Sequence, residues 1–211
     1  MPLHDLSHEL GSGLPYPGDP AASVTPHATV AADGYRVAEI ACTTHSGTHV
    51  DAPAHLQEDG ATLGAYDVET FRFDARVVDC TDYEARAAIG ADSVPETDAD
   101  LLVFDTGFAD RWGEECYFDH PYLTAAAAEQ CADQNCHVGL NAPSVDPTPT
   151  ENAGGDEPAD FPAHRALLGN GCLILENLTN LAPLPERVVV HAYPLPVDAD
   201  GAPVRAVAVS D

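Results

Sequence analysis

The stretch His45-Ser46-Gly47-Thr48-His49-Val50-Asp51-Ala52-Pro53-Ala54-His55 restricts what this chain can fold into more than any other. Four groups able to bind a metal or carry a proton, His45, His49, Asp51 and His55, fall within eleven residues. A helix does not gather them: at about 100° per residue His45 and His49 share a face, but Asp51 is turned about 160° from His49. Extended backbone does better, because the four positions differ by even steps and alternate strand residues face the same way. A straight strand still separates His45 from His49 by roughly 13 Å, too far for one ion with metal–nitrogen bonds near 2 Å. The chain must therefore bend, and Gly47, between the two histidines, is the residue that tolerates it. Pro53 ends strand pairing before His55. The sequence predicts a bent strand whose His and Asp donors suit Zn²⁺ or Mn²⁺ better than Ca²⁺. The competing reading, a polar loop whose histidines satisfy backbone carbonyls, leaves the shared parity and the glycine hinge unexplained.

Charge narrows the function classes. The 211 residues carry 35 Asp and Glu against eight Arg and no Lys, a net charge of −27. Phosphate contacts need a basic stripe that is absent, which argues against nucleic acid, and an anionic membrane surface would repel the chain. The acids run from Asp5 to Asp211 rather than in one block. An acidic face for a basic partner therefore fits less well than a whole-surface adaptation to molar salt, where charge is screened within roughly 3 Å. No run approaches the roughly 18 apolar residues of a membrane span. Met1-Pro2-Leu3-His4-Asp5 lacks the basic and apolar regions of a signal peptide, so a cytoplasmic location is expected. Cys131, Cys136 and His137 hint at a metal knuckle, but no second pair stands at suitable spacing, and buried or surface thiols are expected.

Length predicts one domain over residues 1–211. Residues 24–30 and 35–44 read as strands joined by a turn at Ala32-Asp33-Gly34. Residues 73–80, 101–105, 138–140, 172–175, 188–192 and 204–209 read as further strands, with Asp200-Gly201 turning the chain before the last. Residues 83–89 and 160–168 read as short helices, the second stopped by Gly169. Residues 124–133 give the clearest helix, with Thr124 as N-cap. Residues 143–162, rich in Pro and Gly, form a long loop of the kind that serves as a lid. The class is α/β or α+β with a mixed, sheet-rich core.

The segment from His45 to His55 matches H-x-G-T-H-x-D-x-P-x-H, and in this it resembles the metal-dependent cyclase family, which includes bacterial-type kynurenine formamidases and isatin hydrolases. The likeness extends along nearly the whole chain. It takes in Asp5-Leu6-Ser7, Tyr16-Pro17-Gly18-Asp19-Pro20, Ser144-Val145-Asp146-Pro147, His164 with Glu176-Asn177-Leu178, and a closing hairpin at Gly201-Ala202-Pro203-Val204-Arg205. The resemblance implies an α/β domain of the swivelling β/β/α type, assembled as a homodimer or homotetramer. It implies one or two divalent ions, zinc or else manganese. His45, His49 and Asp51 would hold the first, and His164 the second, with Asp51 and Glu176 bridging. His55 would move the proton, and Tyr16 would stand where formamidases place a Trp against the substrate ring. The implied reaction is hydrolysis of an aryl formamide such as N-formylkynurenine, a step of tryptophan catabolism. An isatin-like cyclic amide or a lactone is the alternative substrate. A metal-binding interaction protein without turnover is the alternative outside enzymes. His4 and His8 read as a surface pair, and His27, His120, His137 and His191 as structural.

Overall fold

The computed structural model describes residues 1–210. The described residues form thirteen strands: β1 (Leu3–Asp5), β2 (Ser23–Ala28), β3 (Val37–Ala41), β4 (His49–Asp51), β5 (Arg72–Asp79), β6 (Ala88–Ile89), β7 (Leu101–Asp105), β8 (Tyr122–Leu123), β9 (His137–Leu140), β10 (Ile174–Glu176), β11 (Arg187–His191), β12 (Gly201–Pro203) and β13 (Val207–Val209). With them are a one-turn helix α1 (Val30–Asp33) and two longer helices, α2 (Ala125–Asp133) and α3 (Pro162–Gly169).

Nine strands make one mixed sheet in the order β1-β13-β11-β5-β7-β9-β10-β4-β12. Its centre, β5-β7-β9-β10, is parallel and flanked by antiparallel strands on both sides. Apolar runs without alternation belong to strands covered on both faces. In β7, Leu101 and Val103 enter one core layer, and Leu102 and Phe104 enter the other. The second layer is roofed by α2 and α3. The small residues Ala127, Ala128 and Cys131 of α2 are fully buried, which lets that helix lie close. Thr124 caps it by accepting from Ala127 N–H at 3.1 Å, an arrangement worth about 1 kcal/mol.

β12 and β13 are adjacent in the chain but lie at opposite flanks of the sheet. The sheet must therefore curl until its ends approach. The ends meet through an antiparallel bridge between Ser7 and Leu178, with Thr179 N–H donating to the Leu6 carbonyl at 3.0 Å, and through His8 N–H donating to Thr48 Oγ1 at 3.0 Å. The expected fold class, a mixed and sheet-rich α/β core, is what forms.

Several local expectations are corrected. Residues 204–209 are not one strand, and the last strands do not form a hairpin: β12 pairs with β4, and β13 with β11 and β1. Residues 83–89 are not a helix. Arg86 is left-handed at φ 60°, a conformation a right-handed helix does not admit. The turn at residues 32–34 is instead the end of α1, closed by a left-handed Gly34. Helix α3 starts at Pro162, because Asp160 and Phe161 are both left-handed. His8 is no member of a surface pair: its ring stacks on Trp112 at 4.0 Å, and burial lowers it to about 4. Cys80, Cys131, Cys136 and Cys172 are buried free thiols. No helix among the described residues is long and apolar enough to cross a membrane.

Candidate active site

Only part of the hallmark segment is strand. Residues 45–48 form a turn, with Gly47 left-handed at φ 66°, and β4 covers His49 to Asp51. The required bend therefore falls at Gly47, while shared strand parity applies to His49 and Asp51 alone. Pro53–His55 is a single 3₁₀ turn that carries His55 out of the sheet. β4 lies between β10 and β12, and the register places His49 opposite Glu176 and Asp51 opposite Gly201. Directly opposed residues share a face, so pairing alone brings Glu176 to the histidines across 127 residues of chain (176 − 49). Gly201 is needed for a steric reason: a Cβ there would sit 2.9 Å from the His45 ring and 2.9 Å from the Val50 carbonyl.

All six predicted polar residues converge. His49 Nδ1–H donates to the Gly47 carbonyl at 2.8 Å. That carbonyl can only accept, so the lone pair of a neutral His49 lies on Nε2. It faces oxygens: Asp51 Oδ1 at 3.2 Å and Glu176 Oε2 at 3.5 Å, aligned with neither as a hydrogen bond. His164, on the first turn of α3, repeats the pattern. Its Nδ1–H donates to Asp146 Oδ2 at 2.7 Å, and Nε2 faces Glu176 Oε1 at 3.3 Å and Asp51 Oδ2 at 3.7 Å. The Asp146 carboxylate also accepts from the backbone N–H groups of Ala163 and His164, each at 2.9 Å, which fixes it as the acceptor. His45 lies between two carboxylates, Nδ1 at 2.8 Å from Asp51 Oδ1 and Nε2 at 2.8 Å from Asp200 Oδ2.

Buried lone pairs directed at buried carboxylate oxygens need a cation between them. His49 Nε2 and Asp51 Oδ2 are both buried without a hydrogen-bond partner, a costly state for polar atoms. Burial alone would keep His49 neutral, but Asp51 and Glu176 outweigh it and pull the imidazole up to about 10. Burial likewise opposes charge on His164, and hydrogen bonds to Asp146, Asp51 and Glu176 raise it well above its usual range. Burial works against ionised Asp51, yet His49, His164 and His45 hold it well below the usual carboxylate range. The cluster thus gathers positive charge, as protons or as metal. Two donor sets share Asp51: His45, His49 and Asp51, and Asp51, His164 and Glu176. Within each set the ligand atoms lie within 4.8 Å of one another. Mixed N and O donors with anchored imidazoles fit a transition-series divalent ion.

His55 differs. Burial is the main cause that lowers it, with His45 and His164 adding to the effect. Its ring lies 4.0 Å from that of His45, and Asp200 Oδ2 accepts from Nδ1–H at 3.3 Å. That leaves Nε2 as the basic nitrogen of a neutral imidazole.

These groups open into a cavity of about 290 Å³, which Tyr16, Trp112, Tyr117, Phe118 and Phe161 also line. Tyr16 meets Phe118 edge-on at 6.5 Å, and its buried hydroxyl has no partner. Sequence reasoning gave no role to Asp146, Asp200 or Asn177. Asn177 accepts from the Tyr117 hydroxyl and donates to the Gly47 carbonyl, bracing the bend. Asp146 belongs to the stretch Ser144-Val145-Asp146-Pro147, which carried part of the family likeness. Asp200 carried no signal beyond that of a turn residue before glycine.

Residues 4–147 match the family model described as "Putative cyclase". The chain is 32% identical over 219 residues to a kynurenine formamidase of Salinibacter ruber, covering 98% of this chain and 97% of that protein. It is 30% identical over 211 residues to a kynurenine formamidase of Geobacillus thermodenitrificans, covering 97% and 96%. Its fold superposes on an isatin hydrolase solved with the product analogue thioisatinate at a TM-score of 0.87 and 24% identity, covering 99% of this chain and 92% of that one. The chain belongs to the cyclase family.

Proposed function

We propose that this chain is a metal-dependent arylformamidase, which hydrolyses an N-formyl aryl amide such as N-formylkynurenine to formate and the free arylamine. The observation that carries the reading is the pairing of His49 and His164 lone pairs with the buried carboxylates of Asp51 and Glu176, beside a neutral His55. Full-length likeness to two kynurenine formamidases supports the same chemistry. His45, His49 and Asp51 would hold one ion, and His164 with the shared Asp51 and Glu176 a second, zinc or else manganese. A divalent ion, when bound, acidifies water and polarises a carbonyl oxygen. His55 takes the proton of the attacking water as its oxygen bonds to the formyl carbon. It returns that proton to the amine nitrogen as the carbon–nitrogen bond breaks. Asp200 fixes the tautomer and tilt of the His55 ring, while the aromatic walls exclude bulk water.

A cyclic amide of the isatin type would break the same bond inside a ring, and the fold of a structure with thioisatinate bound keeps it on the substrate panel. A metal-binding protein without turnover would have no use for a neutral histidine over the cluster. For assembly, a homodimer or homotetramer is the reading, and the β2–β3 hairpin supports a covered surface of that kind. From Ser23 to Ala41 only Ala28 is buried, and Val24, Val30, Tyr35, Val37 and Ile40 are exposed. Such a ribbon is a surface that proteins cover. The test is turnover of N-formylkynurenine, N-formylaniline and isatin by metal-loaded protein in about 1 M KCl, where charge is screened. Formate release from the first two is expected. Turnover of isatin alone would replace the substrate, and no turnover would end the enzymatic reading.

A further inference from the structure

Phe161 is built into the cavity at an energetic cost that packing does not explain. It is left-handed (φ 54°, ψ 56°), and so is Asp160 before it (φ 65°). A bulky side chain at positive φ is a true outlier, and strain of this kind collects where it serves a site. Burial gives no compensation, because Phe161 remains 41% exposed. The backbone is nevertheless held there: the Arg165 side chain donates to the Asp160 carbonyl at 2.7 Å, and Arg165 N–H donates to the Phe161 carbonyl at 2.9 Å. The result stands the phenyl ring edge-on to His164, centroids 6.0 Å apart at 85°, in the cavity that Trp112 and Phe118 also line. Neither Arg nor Lys lines the cavity. Away from the histidine–carboxylate cluster and Asp19, the lining offers ring faces and edges for recognition.

We propose that Phe161 is a specificity-determining residue that selects substrates with an aromatic ring on the amide nitrogen, by packing that ring beside His164. The inference rests on the arylformamidase reading and adds to it the source of aryl selectivity.

Phe161→Ala, Phe161→Trp and Phe161→Gly are compared with the parent, each metal-loaded, on N-formylaniline and on N-formylcyclohexylamine, which has the same size without the aromaticity. In the Ala and Gly variants kcat/KM for the aniline should fall about 3- to 10-fold, the range of one aromatic contact, and the fall should sit in KM. The cyclohexyl substrate should change less than twofold, and Trp should restore selectivity. Glycine relieves the left-handed strain, so Phe161→Gly should melt no lower than the parent while losing selectivity, which a purely structural role would not produce. Equal losses on both substrates, or none on either, would overturn the proposal. If even the parent hydrolyses no formamide, the arylformamidase reading fails separately. Quenching of Trp112 fluorescence by acetophenone and by cyclohexyl methyl ketone then decides the ring preference. A weakened response of Phe161→Ala to acetophenone alone would support the proposal, and an equal change for both ketones would refute it.

Discussion

In the proposed reaction His55 must accept a proton, and its surroundings keep it able to. Burial opposes the imidazolium, and positive charge gathered on the cluster at His45 and His164, whether carried by protons or by metal, adds to the effect. Its affinity for a proton therefore lies below the ordinary imidazole value of about 6.5. The neutral, active form predominates above that lowered value and is lost as pH falls through it, so the acid limb of kcat/KM should have its midpoint below about 6.5. A pH–rate profile checks this, and a midpoint above 7 would contradict the assignment. At this scale the sequence was legible where ligands stand close together. His45, His49, Asp51 and His55 stand out by their closeness in sequence and the glycine hinge, although strand parity holds only for His49 and Asp51, whereas His164 and Glu176 follow only from resemblance. Asp146 and Asp200 escaped because they act through another side chain, and two such acids do not stand out in a chain with 35.

The long loop of residues 143–162 is held down rather than free. Arg86 donates to Glu157 Oε1 at 2.6 Å, to Asp119 Oδ1 at 2.9 Å, to Thr150 Oγ1 at 2.9 Å and to the Thr148 carbonyl at 3.1 Å. Its left-handed backbone aims the guanidinium at these partners, which is why the helical pattern around it fails. Arg86→Ala leaves Glu157 and Asp119 facing each other without a cation. It should lower stability by about 1.5–3 kcal/mol, the worth of hydrogen bonds to charged groups, and expose the loop to protease. Unchanged melting and unchanged cleavage would show that the loop is anchored elsewhere. Local pattern found most strands and α2, since period and caps are local properties. It could not find strand order, because the partners of β4 lie at residues 174–176 and 201–203 and no local period encodes such pairing.

Across the whole molecule, the net charge of −27 governs how the fold responds to solvent. Self-repulsion among surface carboxylates opposes the compact state and weakens as salt shortens the screening length from about 10 Å at 0.1 M to about 3 Å at 1 M. The melting temperature should climb by several degrees over that range, followed by the fluorescence of the single Trp, Trp112. A melting temperature indifferent to KCl would remove the high-salt reading and leave the acidity to be explained by a basic partner. The pairing of β12 with β4 at one edge of the sheet sets Asp200 over the cluster, so the site depends on a strand contributed from the far end of the chain.

Both the proposed chemistry and the proposed roles of the individual histidines depend on a metal held between the buried imidazoles and carboxylates. Metal content measured by mass spectrometry alongside turnover, in the parent, His49→Ala and His55→Ala, tests this most directly. The parent and His55→Ala should carry the same metal, with turnover in His55→Ala down about 10²- to 10⁴-fold, and His49→Ala should lose both. A parent that is folded, active and metal-free, or two variants equal in metal and in activity, would contradict it.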